Sequence, residues 1–301
     1  MKVQTNIDDE SPPQPENTLS IFRMIRSAHC TAAATMDSVL GLGCRIDPMP
    51  TYLPDTNVLV DLGRDPAVQT KLENVEQSGS TFVIAPSTMT ELTVGVVKGG
   101  ATYFEQNKKI FAWLYPHSDV ILDLPRPFIG KTLGFQSQRG QVETHHHVRR
   151  IEMVANSQTF DEFLKRKDDA GNVWSDIDNA AQIHNAQVDK EFAALEKFAK
   201  LPQGTFDVAA AFCKTFGAGG VCPDPKLFRQ HFSAAVEYGE ASIAKIKAGA
   251  QPWKNDRARY GDFQLFFYLA DANITLLTSE DFSGDIKQSP QRTRIVGLDA
   301  L

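Results

Sequence analysis

The chain has 301 residues, with 31 basic and 37 acidic side chains and a formal net charge of −6. Apolar residues make up 42% and charged residues 23%, the balance of an ordinary globular protein with enough chain for a large core, as one big domain or two small ones. The acidic balance excludes a protein that grips nucleic acid by bulk charge alone, so any such contact needs a local basic patch or a metal ion. Cys30, Cys44, Cys213 and Cys222 are too few and too scattered for a disulfide framework, and no CxxC pair offers a cysteine zinc site. A reducing compartment is expected.

Residues 1–18 are polar, acidic and Pro-rich, which reads as a disordered tail. They lack the basic start and apolar run of a signal peptide. No stretch reaches the ~18 apolar residues of a membrane span. A cytoplasmic protein without membrane contact is therefore expected. Residues 19–42 carry weak helical periodicity at Ile21, Met24, Ile25, Val39 and Leu40, so 1–50 is taken as a tail plus a helical segment that packs or binds a partner.

The first strong signal is a short apolar strand at 51–54. It ends abruptly at Asp55-Thr56-Asn57, and Val58-Leu59-Val60 follows at once as a helix start. A second strand, 81–85, is rich in β-branched residues and runs into a helix with Met89, Leu92 and Val96 at helical spacing. A third strand is expected over 119–124. Residues 126–254 favour helix, with Val188, Phe192, Leu195 and Ala199 on one face and Phe228, Phe232, Ala235, Ile243 and Ile246 on another. Breaks fall near 168–172, 202–204 and 217–225. Strand signals then return at 274–277 and 293–298, after an amphipathic stripe of Phe263, Phe266, Phe267 and Ala270. The expected architecture is α/β: a split domain, 51–125 and 255–301, with a central, mainly parallel five-stranded sheet. A helical module at 126–254 interrupts it and leaves the sheet from one edge.

In an open parallel sheet, ligands bind beyond the carboxyl ends of the strands. Asp55 directly follows the first strand, and Glu280 and Asp281 follow the strand 274–277. Glu91 sits one turn into the helix after the second strand, and Asp262 lies ahead of the Phe263 stripe. Carboxylates converging on one cleft repel one another unless a cation lies between them. Hard oxygen ligands select Mg²⁺ or Mn²⁺, which can activate water and stabilise displacement at phosphorus. Each acid also has a structural reading. Asp55 suits an N-cap, Thr88 with Glu91 fits a capping box, Asp262 suits a helix N-terminal turn, and Glu280 and Asp281 suit a surface turn. Their placement together at successive element ends tilts the balance toward a site.

Three segments resemble the motifs of PIN-domain (PIN-like) nucleases. They are Pro54-Asp55-Thr56-Asn57-Val58-Leu59, the run Ser87 to Gly95 holding Glu91, and Gly261-Asp262 with Leu276-Leu277-Thr278-Ser279-Glu280-Asp281-Phe282. The resemblance covers roughly 51–125 and 255–298. It implies a parallel sheet flanked by helices, a Mg²⁺ or Mn²⁺ site, and hydrolysis of phosphodiester bonds in RNA or single-stranded nucleic acid. It carries the metal-holding, catalytic role to Asp55, Glu91 and Asp262, and leaves the fourth place open between Glu280 and Asp281. Asn57 and Thr278 match the polar residues that hold the acids. An inhibitor or partner protein is a further implication, since many compact members are toxins with small partners. The long separation of Glu91 from Asp262 departs from the compact members.

His145-His146-His147 invites a metal reading, but adjacent histidines point in different directions, and a solvated stretch is expected. Arg149, Arg150, Lys165, Arg166 and Lys167, with Arg139, offer a phosphate-tracking face; a plain exposed helix fits equally. The stretch 126–254 is nearly neutral, 17 basic against 15 acidic residues, so it is no strong clamp. Trp174, Phe192 and Phe198 suit core packing better than base stacking. A haloacid-dehalogenase-type phosphatase needs a second acid two residues after its nucleophile, and Asn57 stands there instead. The alternative to a nuclease is a PIN-like scaffold or binding protein that acts through its helical insertion.

Overall fold

The structure is a computed structural model that describes residues 49–116, 121–134, 141–175, 196–202, 207–216, 224–249 and 258–301, with single positions at 182 and 193. The expected tail and helix before residue 49, the stripe positions Val188, Phe192 and Leu195, and Arg139 lie outside the described residues. Among those described, no helix is long and apolar enough to cross a membrane.

Among the described residues four parallel strands form the sheet: β1 (Thr51–Pro54), β2 (Thr81–Phe82), β3 (Ile274–Leu277) and β4 (Ile295–Val296), in the order β2-β1-β3-β4. Leu53 stands beside Leu276, and Leu277 beside Val296. The five-stranded expectation is corrected here. Of the third predicted strand, positions 119 and 120 lie outside the described residues; the described remainder contributes one parallel bridge, Ile84 to Ile121, and the Leu122 N–H donates to the Ile84 carbonyl at 2.9 Å. Pro125 then opens a helix only three residues on, so the chain leaves the sheet before a ladder can grow. The last strand is cut short in the same way, because Pro290 starts a 3-10 turn, Pro290–Arg294, that runs directly into it.

Among the described residues ten helices follow the chain between and around these strands. They are α1 (Thr56–Arg64), α2 (Pro66–Gln77), α3 (Pro86–Leu114), α4 (Pro125–Thr132), α5 (Gln141–Ala155), α6 (Phe160–Asp169), α7 (Val208–Phe216), α8 (Pro225–His231), α9 (Ser233–Lys247) and α10 (Ala258–Tyr268). Their starts follow local chemistry. Asp65 and Asp224 each cap a helix whose first residue is proline, accepting from the backbone two residues on. Helix α3 is two helices meeting at Gly100, whose φ of 66° and ψ of −155° suit glycine alone.

Both faces of the sheet are apolar, and both are covered. Leu53, Ile274 and Leu276 enter one core with residues of α4, α7, α8, α9 and α10. Phe82, Ile84 and Leu277 enter the other with residues of α1, α2, α3, α5 and α6. The period of two along a strand makes this division. Helices from the 126–254 stretch therefore line both layers, rather than leaving the sheet from one edge as expected. A parallel sheet buried on both sides needs that cover, and residues 48–301 form one compact unit. The cover also changes α10. Its stripe was expected to have a polar side, yet Leu265, Tyr268 and Leu269 are as buried as Phe263, Phe266 and Phe267.

Close approach of α1 to α3 depends on Gly63. A Cβ there would stand 2.8 Å from Ile110 Cγ1 and 3.1 Å from the Gln106 carbonyl oxygen. Gly63→Ala is expected to destabilise by about 1–2 kcal/mol in urea denaturation, overpacking outweighing the helix-propensity gain. Gly284→Ala, which meets nothing within 4 Å, serves as the neutral control. Equal midpoints for the two variants would disprove the close packing.

Candidate functional site

Asp55 ends β1 and caps α1. Its Oδ1 accepts from the Val58 N–H at 2.7 Å, so the N-cap reading is correct as far as it goes. Its Oδ2 accepts from the hydroxyl of Thr278, at the end of β3. The two ends are brought level by the ladder, where Pro54 pairs with Leu277 and the Asp55 N–H donates to the Leu277 carbonyl at 2.9 Å. The same Thr278 hydroxyl oxygen accepts from the Glu280 N–H at 3.0 Å. Glu280 Oε1 in turn accepts from Asn57 Nδ2 at 2.9 Å. Thr278 and Asn57 thus hold two acids that are 225 positions apart in sequence, Asp55 and Glu280.

Asp55 is 1% exposed. Burial pushes its carboxyl up to about 6, against the pull of the Thr278 hydroxyl and the Val58 and Ser279 N–H groups, and the Glu280 charge adds to the rise. Loss of water disfavours the ionised form, and a second negative charge disfavours it further. A cation at this point would relieve both effects.

Glu91 is half-buried, five residues into α3. The capping-box reading does not hold for it: the helix starts at Pro86, its N-cap is Ala85 without a side-chain bond, and Thr88 lies inside the first turn. Glu91 Oε2 instead accepts from the Thr56 hydroxyl. Thr56 joins this hydrogen-bond network although no sequence motif singled it out. Its signal was its place between Asp55 and Asn57, where a short polar side chain on a helix start can reach a neighbouring element. Residues 55–57 therefore form a hub: Asp55 itself, Thr56 to Glu91, and Asn57 to Glu280.

Asp262 is 6% exposed on α10. That helix packs on α3 and on β3. A short connection joins the end of α10 to the start of β3. A helix rises ~1.5 Å and a strand ~3.3 Å per residue, so going back from Tyr268 to Asp262 (~9 Å) matches going forward from Ile274 to Leu277 (~10 Å). An α10 axis antiparallel to β3 would bring Asp262 level with the carboxyl end of that strand.

Asp281 takes a different course. It is exposed, and its Oδ1 accepts from the Ser283 N–H at 2.8 Å. The Ser283 side chain leads in holding its carboxyl below the usual value, with that backbone bond second. Of the two candidates for the fourth acid, Glu280 joins the network around Asp55 and Asp281 closes its own turn. Beside them a groove of about 540 Å³ opens beyond β3 and β4, lined among others by Glu280, Phe282, Arg292, Gly297 and Leu298.

Among the described residues no group of three or more His, Cys, Asp or Glu side chains stands ready to share one ion. A Mg²⁺ ion asks for less. It keeps several waters and takes one or two carboxylates. Asp55 and Glu280 fit that donor set: both offer hard oxygen, and Asp55 carries a charge that burial opposes.

The basic residues do not form one exposed face. Arg149 is exposed, but Arg150 is 5% exposed and its guanidinium stands 3.1 Å from His147 Nδ1. His147 is also buried rather than solvated. Burial, the Arg150 charge and the neighbouring His146 push its imidazole down to about 3, so it is neutral at physiological pH. Helix α5 turns these two residues inward against its neighbours, which the run of like side chains did not reveal. Lys165 is exposed, Arg166 pairs with Glu162 at 2.7 Å, and Lys167 lies over the Trp174 ring at 5.7 Å. Trp174 itself is in the core, 2% exposed.

No protein-family model matches the chain, and no curated protein or solved structure matches it either.

Proposed function

We propose that the chain is a Mg²⁺- or Mn²⁺-dependent nuclease of PIN-like type that hydrolyses phosphodiester bonds, RNA first among its substrates. The observation that carries this reading is the buried Asp55 carboxyl at the end of a parallel strand, pushed up to about 6 and tied through Thr278 to Glu280. A strand-end carboxylate that ionises only with difficulty is a group that gains from a bound cation. Asp55 and Glu280 would hold the ion, and Glu91 and Asp262 stand on α3 and α10, which pack on each other. A bound Mg²⁺ or Mn²⁺ would polarise the phosphate and lower the pKa of its water. The protein's own part is to fix the acids: Thr278 orients Asp55, Asn57 orients Glu280 and Thr56 orients Glu91.

A second reading, a PIN-like scaffold with little or no catalysis, is favoured by one observation: the described acids do not form a group of three. Incubation with single-stranded and structured RNA and DNA, with and without Mn²⁺, separates the two. Mn²⁺-dependent cleavage that chelator abolishes is expected. Folded, Mn²⁺-supplied protein that cuts none of these substrates would defeat the nuclease reading and leave the scaffold.

A further inference from the structure

The segment that follows Glu280 is bound along its length by helix α9. Lys245 Nζ stands 2.5 Å from Asp285 Oδ1. The Tyr238 ring meets Phe282 edge-on with centroids 6.0 Å apart. One carboxylate, Glu237, takes three consecutive backbone N–H groups: Lys287 and Gln288 on Oε1 at 2.7 and 2.8 Å, and Ser289 on Oε2 at 2.7 Å. Ser233 Oγ lies 2.7 Å from Ser289 Oγ, and Gln291 Oε1 accepts from the Ala234 N–H at 2.9 Å. Gln291 Nε2 donates to the carbonyls of His231 and Leu269, so it joins the insertion to α10 as well. Ser233, Glu237 and Lys245 recur at multiples of four, which is one stripe of a helix.

We infer that α9 fixes the strand-end segment carrying Glu280, with Glu237 as the positioning residue that keeps Glu280 beside Asn57 and Asp55. This rests on the reading of Glu280 as a metal-holding group. The physical reason is pre-organisation. Glu280 sits in a turn, its side chain held by the exposed Asn57, and a carboxylate on a loose turn loses freedom when it takes an ion. Anchoring the residues just after it removes that loss in advance. Glu237 suits the task because its two oxygens satisfy three backbone donors that no strand or helix partner serves. Burial acts to raise its carboxyl, and the three N–H groups with the nearby Arg292 charge outweigh burial and hold it below the usual value. It is therefore ionised, and fully bonded, at neutral pH. The insertion accordingly serves the site from within, by holding one of its loops.

The test compares Glu237→Gln with Glu240→Gln in the full chain. Glu240 lies on the same helix but pairs with Arg229 at 2.7 Å. Two quantities are read: backbone hydrogen exchange at 279–291 in chelator, and the Mn²⁺ concentration that gives half of the thermal stabilisation. Glu237→Gln puts an amide N–H against the Ser289 N–H. It is expected to speed exchange at 287–289 by about tenfold and raise half-saturating Mn²⁺ by about fivefold, with Tm in chelator within about 3 °C of wild type. Glu237→Asp should recover part of both, and Glu240→Gln should move neither. If Glu237→Gln does not fold, Lys245→Met cuts the other end of the same clamp and must move both quantities in the same direction by about twofold. Unchanged exchange overturns the clamp, and faster exchange with unchanged half-saturation overturns the positioning role. Wild-type protein without any Mn²⁺ response defeats the metal reading and the role built on it, and only that outcome appears in the wild type, so the two failures are distinct.

Discussion

Asp55→Asn is expected to abolish divalent-dependent cleavage while making the metal-free protein more stable at neutral pH. The loss follows from charge. Asp55 supplies negative charge that would hold the ion, and removing a group that stabilises transition-state charge costs about 10²–10³-fold or more in rate. The gain follows from linkage. The folded-state value of Asp55, about 6, lies above its ordinary 3.8, so the folded chain binds that proton more tightly than the unfolded chain. Stability from this group is complete below about pH 4 and is lost as pH rises to about 6, a total of about 3 kcal/mol by pH 7. Asparagine keeps the shape and can still accept from the Val58 N–H, but carries no charge to lose. Denaturation in chelator at pH 4, 5, 6 and 7 should show the variant's advantage growing from near zero to about 2–3 kcal/mol. An advantage that does not change with pH would mean that burial of the charge is not the source. Added Mn²⁺ should stabilise the wild type and leave the variant almost unmoved.

Phe267→Ala is expected to cost about 3–5 kcal/mol, enough to remove much of the stability of a typical domain. The ring is fully buried on α10, against the sheet face that carries Leu53 and Leu276. It meets Phe212 of α7 at 5.8 Å, Phe263 of its own helix at 5.2 Å, Phe228 of α8 at 6.4 Å and Phe232, next to α9, at 5.8 Å, all in edge-on geometry. Those partners come largely from the inserted stretch, so the deletion opens a cavity where insertion and sheet layer meet. A single shifted transition in urea is expected, because one core holds both. A cost below about 1 kcal/mol, or a second transition, would show that the inserted helices fold apart from the sheet.

The parts of the site written in short-range pattern were legible. A strand that stops at Asp55 and a strand that stops at Thr278 are each recognisable from an apolar run ended by a polar residue, and both stand where the sequence placed them. Their pairing in register puts Asp55 within reach of Thr278. The sequence could not choose between Glu280 and Asp281, neighbours in the same turn. That choice depends on which side chain meets Asn57, 223 positions away, and which folds back on Ser283. The expected third strand failed for a related reason. Its β-branched residues match a ladder, but Pro125 and the start of α4 withdraw the chain, and among the described residues one bridge forms.

What the sequence by itself determined was local: the strand ends, the proline-led and aspartate-capped helix starts, the alternation that buries both faces of the sheet, and the acids that follow the strands. Each depends on residues a few positions apart, where spacing fixes geometry. Tertiary structure decided which faces the inserted helices cover. It turned His147 and Arg150 inward against each other and buried every residue from Leu265 to Leu269. It also laid α9 along the segment after Glu280, so that Glu237 came to hold three backbone N–H groups 50 or more positions downstream. These outcomes belong to contacts between distant parts of the chain. A single residue's type does not encode which neighbour will exclude water from it, and that exclusion sets the burial of His147 and raises the carboxyl of Asp55.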